Sequence, residues 1–152
     1  MNEKLLQSDL ETIRHINAVR DNISLLVFEL LERAKRHDES KLVSPEREIF
    51  GAHHDELWKV EYGSQEYKDL LEKVKPAILN HYSKNRHHPE HFSKGMDEMD
   101  LVDVLEMICD WTAATSRNKN GNIHKSIEIN SEKYGIPPML ASILSNTVNM
   151  YF

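Results

Sequence analysis

A chain of 152 residues, 39% apolar and 29% charged, suits one globular domain with one core. A formal charge of −6 argues against a broad basic surface for nucleic acid, and a single cysteine, Cys109, excludes an internal disulfide and a cysteine-based zinc site. Five glycines and five prolines leave little room for the turns of a many-stranded sandwich, so the expected fold class is all-α, a single-domain bundle of about six or seven helices over residues 1–152.

Ser8-Asp9-Leu10-Glu11 reads as a capping box that opens the first helix. Ile13, Ile16, Val19 and Ile23 recur at helical spacing, and the dense apolar stretch after Ile23 ends near His37. One long helix, or two with a kink near Asp21-Asn22, both fit this pattern. Glu3, Lys4, Asp9, Glu11 and Arg14 interrupt any apolar leader, and no run is long enough to cross a bilayer, so a cytoplasmic location is expected by elimination. After a short connection at 39–44, Ser44-Pro45-Glu46 predicts a helix start with Ser as N-cap and Pro in the first helical position. That helix carries Ile49, Phe50, Leu57 and Trp58 and stops near Tyr62-Gly63. Ser64 caps the next helix, which runs through Leu70, Val74 and Ile78 to His81, with Pro76 predicting a kink or a late restart. Residues 83–96 read as a polar, His-rich loop. Asp97 is expected to open a strongly apolar helix through Leu101, Val104, Leu105, Ile108 and Trp111, with Cys109 buried in it. After a polar turn at 117–123 come a short helix near 124–133 and a last one from Pro137 or Pro138 to about Met150. Its apolar run, Met139, Leu140, Ile143, Leu144, Val148, Met150 and Tyr151, closes the core or packs a second copy in a homodimer.

Nine histidines are the unusual count. His53 and His54 are adjacent, and His81, His87, His88 and His91 fall close together. His37-Asp38 pairs an imidazole with a carboxylate, and Lys41 follows one turn later, suited to a phosphate. Such a dipeptide alone carries little weight, since nine His and nine Asp produce about half of one by chance. A second, His54-Asp55, stands in mid-helix, where the side chains diverge by about 100° and a solvated face is expected. His37-Asp38 stands at a helix end, where the backbone can turn both groups toward one ion. Further ligands must come from elsewhere. His15 on the first helix is a candidate ligand or a polar-face histidine. Asp110, flanked by Cys109 and Trp111 on the most apolar helix, is costly to bury without a metal or cation partner. Glu106, one turn earlier, is placed to orient a ligand or a water. Asp103 is nearer the helix start and is expected to be solvated. His81, His87 and His88 are candidates for a second ion, or for an exposed loop that binds metal adventitiously. His91 and His124 are read as structural or surface residues.

Three of these segments resemble the HD-domain superfamily of metal-dependent phosphohydrolases. His37-Asp38-Glu39-Ser40-Lys41, followed by Pro45, resembles its HD-x-x-K stretch. Ile108-Cys109-Asp110-Trp111 through Arg117 resembles the segment carrying its last metal aspartate, and the His81 to His88 region lies where two-metal members place extra histidines. The resemblance spans about residues 15–117 and also extends to small phage and bacterial proteins. It implies an all-helical domain with a divalent ion held by His15, His37, Asp38 and Asp110, and a second ion bridged by Asp38 with His81, His87 or His88. It implies a catalytic role for Asp38, Lys41 and Arg117, with Lys41, Asn85 and Arg117 meeting the substrate phosphate. The Gly-Tyr-Pro signature of the cyclic-dinucleotide branch is absent. Ala113 stands where a second aspartate is common, and Lys41 where some nucleotidases carry glutamate. The donor set suits Mn, Fe, Co, Ni or Zn, as one or two ions, better than an all-oxygen Mg site. The expected activity is hydrolysis of a small phosphate ester, a nucleotide or a related molecule. The alternative is a catalytically silent protein of the same fold that binds a nucleotide or a host protein.

Overall fold

The computed structural model describes residues 3–60, 64–117 and 121–152, and the expected helix end at Tyr62-Gly63 lies outside them. The fold is all-α: α1 (Glu3–Arg36), α2 (Glu46–Ala52), α3 (His54–Lys59), α4 (Gln65–Lys84), α5 (Leu101–Ser116), α6 (Ile123–Tyr134) and α7 (Pro138–Tyr151), with no strand among the described residues. Three short 3-10 turns, Glu39–Leu42, Pro89–His91 and Gly95–Glu98, link them. None of these helices is long and apolar enough to cross a membrane. The chain divides into two compact units, Met1–Arg36 and His37–Phe152.

The first unit is a single unbroken helix. It begins at Glu3, so Ser8 lies inside it rather than capping it, and Asp21-Asn22 introduces no break. Residues 3–7, Glu-Lys-Leu-Leu-Gln, are all strong helix formers and carry the helix past the expected start.

In the second unit, Ser64 caps α4 as expected, its hydroxyl accepting from Tyr67 N, and α4 continues through Pro76 to Lys84. Two expected helix starts move. Pro45, not Ser44, precedes the first residue of α2, and no side chain caps it. Asp100, not Asp97, caps α5: its carboxylate accepts from Val102 N and Asp103 N while Asp103 accepts from Asp100 N. This reciprocal box satisfies helix-end donors that Asp97 would leave open. The single helix expected after Ser44 is broken at His53 (φ −111°, ψ 13°), two residues after a glycine that weakens the helix.

The main core gathers Val104, Met107 and Ile108 of α5, Ile127 of α6, Ile136, and Leu144 and Val148 of α7. Trp111 and Tyr134 stack against it with rings 14° from parallel. Each such position buries about 1.5–3 kcal/mol worth of apolar side chain, which holds α5 in this core. Of the C-terminal apolar run, Leu144 and Val148 close the core and Leu140 packs on it. Cys109, expected inside, is exposed, because it falls on the face of α5 opposite Met107 and Ile108.

Candidate metal centre

Three segments of the second unit deliver the polar side chains. The first is the turn after Arg36. Asp38 adopts φ 60°, ψ 13°, a left-handed conformation that a short polar side chain tolerates better than most residues. The 3-10 turn that follows brings Lys41 back over Asp38, with Nζ 2.6 Å from Oδ2. The second segment is α5, which presents Glu106 and Asp110 one turn apart on one face. The third is the end of α4, giving His81, and the connection after it, giving His87 and His88.

That connection is anchored rather than loose. Arg86 donates from Nε to Asp103 Oδ1 at 3.0 Å and from Nη2 to Oδ2 at 2.8 Å, while its guanidinium lies 4.9 Å over the Phe92 ring. Asp103 is fully buried, not solvated as expected, because this two-pronged cation partner offsets the cost of burial. His91 Nδ1 donates to the Tyr82 carbonyl at 2.9 Å, a structural role. His81 and His87 are buried.

Three groups of donors lie close enough together to hold an ion; two of them share Asp38, and the third joins His37, His87 and Glu106. On one side, His37 Nε2 lies 3.6 Å from Asp38 Oδ2 and 3.6 Å from Asp110 Oδ1. On the other, Asp38 Oδ1 lies 3.2 Å from His81 Nε2 and 3.6 Å from His87 Nε2, and His88 Nε2 is 2.9 Å from His81 Nε2. Within each set the ligand atoms lie within 4.8 Å of one another. Ligands bound at about 2.0–2.2 Å around a tetrahedral ion stand roughly 3.3–3.5 Å apart, close to most of these separations. Asp38 Oδ1 and His87 Nε2 are buried without a hydrogen-bond partner. Both are donor atoms, one in a carboxylate and one in an imidazole, and a divalent cation satisfies both. The residues therefore fit one or two borderline divalent ions.

The opposite ring nitrogens are held by carboxylates. Glu106 Oε1 accepts from His37 Nδ1 at 2.9 Å and from His87 Nδ1 at 3.1 Å. Glu46, fully buried, accepts from His81 Nδ1 at 2.9 Å, Ser40 Oγ at 3.0 Å and Asn80 Nδ2 at 2.8 Å. A carboxylate on Nδ1–H leaves Nε2 as the nitrogen that can meet an ion, and it raises the basicity of that nitrogen. Asn85 Nδ2 donates to Ser40 Oγ and to the His81 carbonyl, both at 2.8 Å, and so braces this network.

The electrostatics follow from this crowding. The Asp110 and Glu106 carboxylates, against a smaller opposing effect of burial, push the His37 pKa up to about 10. Burial, reinforced by the neighbouring His87 and His81, holds His88 down at about 3, so it is neutral and a ready ligand. For Asp38, burial acts upward but is outweighed by the His81 imidazole and the Lys41 ammonium, and the carboxyl lies far below its usual range. Burial also opposes ionisation of Glu106 and Asp110; His37 and His87 bring Glu106 down to about 2, and His37 lowers Asp110.

Of the residues singled out in the sequence, His37, Asp38, His81, His87, His88 and Asp110 come together, with Lys41 on Asp38 and Asn85 in the supporting network. Arg117 ends α5, exposed, seven residues past Asp110 and so about 10 Å along the helix on nearly the same face. His15 belongs to the other unit, on α1. His124 is exposed. Sequence reading missed Glu46. It marks only a helix start locally, and its partners Asn80 and His81 are more than thirty residues away.

The chain belongs to DUF5662, a family of unknown function, which it matches over residues 4–150. No curated protein matches it, and no solved structure does. The family match runs from α1 into α7 and includes every residue of the centre.

Proposed function

We propose that this member of the family is a metal-dependent phosphohydrolase, of the kind the HD-x-x-K resemblance implies, acting on a nucleotide or a related small phosphate ester. One observation carries the reading: a single half-buried carboxylate, Asp38, stands between two sets of imidazole and carboxylate donors, and its buried Oδ1 and the buried His87 Nε2 make no hydrogen bond. Purely structural clusters pair their buried polar atoms.

In this reading His37, Asp38 and Asp110 would hold one divalent ion, and Asp38, His81, His87 and His88 would hold a second. Bound ions of this class polarise a phosphoryl oxygen and lower the pKa of coordinated water to about 7. The chain supplies the rest. Asp38, the carboxylate common to both donor sets, would also accept a proton from the attacking water. Lys41, half exposed beside it, offers a point charge to the phosphoryl oxygens. Arg117, at the exposed end of α5, offers a fork that grips a second phosphate oxygen pair. Glu46 and Glu106 keep the imidazoles aimed while substrate enters.

The test is turnover of a chromogenic phosphate monoester, and phosphate release from a panel of nucleotides, with Mn²⁺, Co²⁺ or Ni²⁺ added. Wild type should hydrolyse at least one substrate in a metal-dependent way, and Asp38→Ala should lose at least 100-fold. Metal-dependent turnover that survives Asp38→Ala unchanged refutes the assignment. A protein that binds the ions and a nucleotide without turnover would instead be the catalytically silent relative.

A further inference from the structure

We infer that Glu106 couples the two ion positions, so that the ions bind cooperatively rather than independently. The inference rests on the two-ion reading above and deepens it. One oxygen, Glu106 Oε1, accepts from His37 Nδ1 at 2.9 Å and from His87 Nδ1 at 3.1 Å. These imidazoles belong to different donor sets, one meeting Asp110 and the other meeting Asp38 Oδ1 beside His81. Their rings lie 4.4 Å apart between centroids, tilted by 39°.

An ion on His37 Nε2 takes the place of the proton there and keeps Nδ1–H on Glu106, and by holding the ring still it holds the shared oxygen still. His87 is then already turned with its Nε2 lone pair toward the second position. By reciprocity, filling the second position prepares the first by the same factor. A change of tautomer in either histidine would place a lone pair against the carboxylate and break the arrangement for both. Glu46 differs in kind. It holds only His81 among the ligands, together with Ser40 and Asn80, so it positions one donor set without reaching the other.

Geometry and charge make opposite predictions for two conservative variants. Glutamine keeps an oxygen at the same reach and removes the charge. Aspartate keeps the charge and withdraws it by one methylene, out of reach of at least one imidazole. Chelator-treated protein would be titrated with Co²⁺, followed by its visible absorption and by calorimetry, with bound cobalt counted after desalting. Wild type should take up two ions with a Hill coefficient above 1. Glu106→Gln should bind both more weakly, by about tenfold, and remain cooperative. Glu106→Asp should bind the two ions independently, with a Hill coefficient of 1 or below. Glu46→Gln should weaken one ion and leave cooperativity in place. Independent binding of two ions by wild type, or wild-type cooperativity in Glu106→Asp, overturns the coupling while leaving the two-ion centre standing. A wild type that binds one ion or none overturns the two-ion reading and the coupling with it.

Discussion

His37-Asp38 and His54-Asp55 are the same dipeptide in one chain, and they differ in almost everything around them. The His54 and Asp55 side chains are 66% and 84% exposed and meet each other at 3.2 Å on the solvent side of α3. The His37 and Asp38 side chains are 29% and 20% exposed, on a left-handed turn, and face Glu106, Asp110, His81 and His87. Water screens the first pair, whereas partial burial strengthens every interaction at the second. The comparison teaches that a candidate ion site comes from convergence and desolvation, not from the dipeptide.

The sharpest way to break the contrast is to remove the shared carboxylate. On the proposed two-ion reading, Asp38→Asn, which still tolerates the left-handed turn, should abolish ion binding and cost at least 100-fold in turnover, read by metal analysis alongside the phosphatase assay. A smaller but broader loss is expected from Glu46→Ala. It leaves three donors facing a gap, so unfolding in urea should show a loss of about 1–3 kcal/mol. Metal affinity should fall by about 10–100-fold as His81 loses its orientation.

Titration comes next. His37 in the metal-free protein holds its proton up to about pH 10, so an ion must displace it. Ion uptake at pH 7 should therefore release a proton into a weakly buffered solution, and apparent affinity should rise by about tenfold per pH unit toward pH 10. The two perturbed histidines also shape the stability of the metal-free protein in opposite senses. The folded pKa of His37 lies above its model value of 6.5, so its contribution is complete below 6.5 and is lost as pH rises toward 10. The folded pKa of His88 lies below 6.5, so its contribution is complete above 6.5 and is lost as pH falls toward 3. Thermal melting with chelator present should peak near pH 6–7 and decline on both sides. The smallest effect belongs to the other dipeptide: His54→Ala should leave ion count and turnover unchanged and move stability by no more than about 0.5 kcal/mol.

Much of the fold was legible. The Ser64 cap, the helix through α4 and the two C-terminal helices follow from periodicity and end signals that act over four residues. The misplaced starts at Ser8 and Asp97 have one cause: each was a plausible local cap outcompeted by neighbours, a run of helix formers in the first case and the Asp100/Asp103 box in the second. Asp103 misled because its partner, Arg86, lies seventeen residues away. The histidines and Asp110 were visible as residue types suited to a metal, but not their sharing of Asp38 between two sets.

Helical class, the approximate number of helices and the stock of imidazole and carboxylate donors can be read along the chain, because spacing, capping and composition act over a turn or two. Which donors meet is another matter. Glu106 reaches His37 across 69 positions, and Glu46 reaches His81 across 35. Packing of α2 on α4, and the seating of the turn after Arg36 against α5, set those meetings, and with them the burial that makes one His-Asp pair a candidate ion site and leaves the other in water.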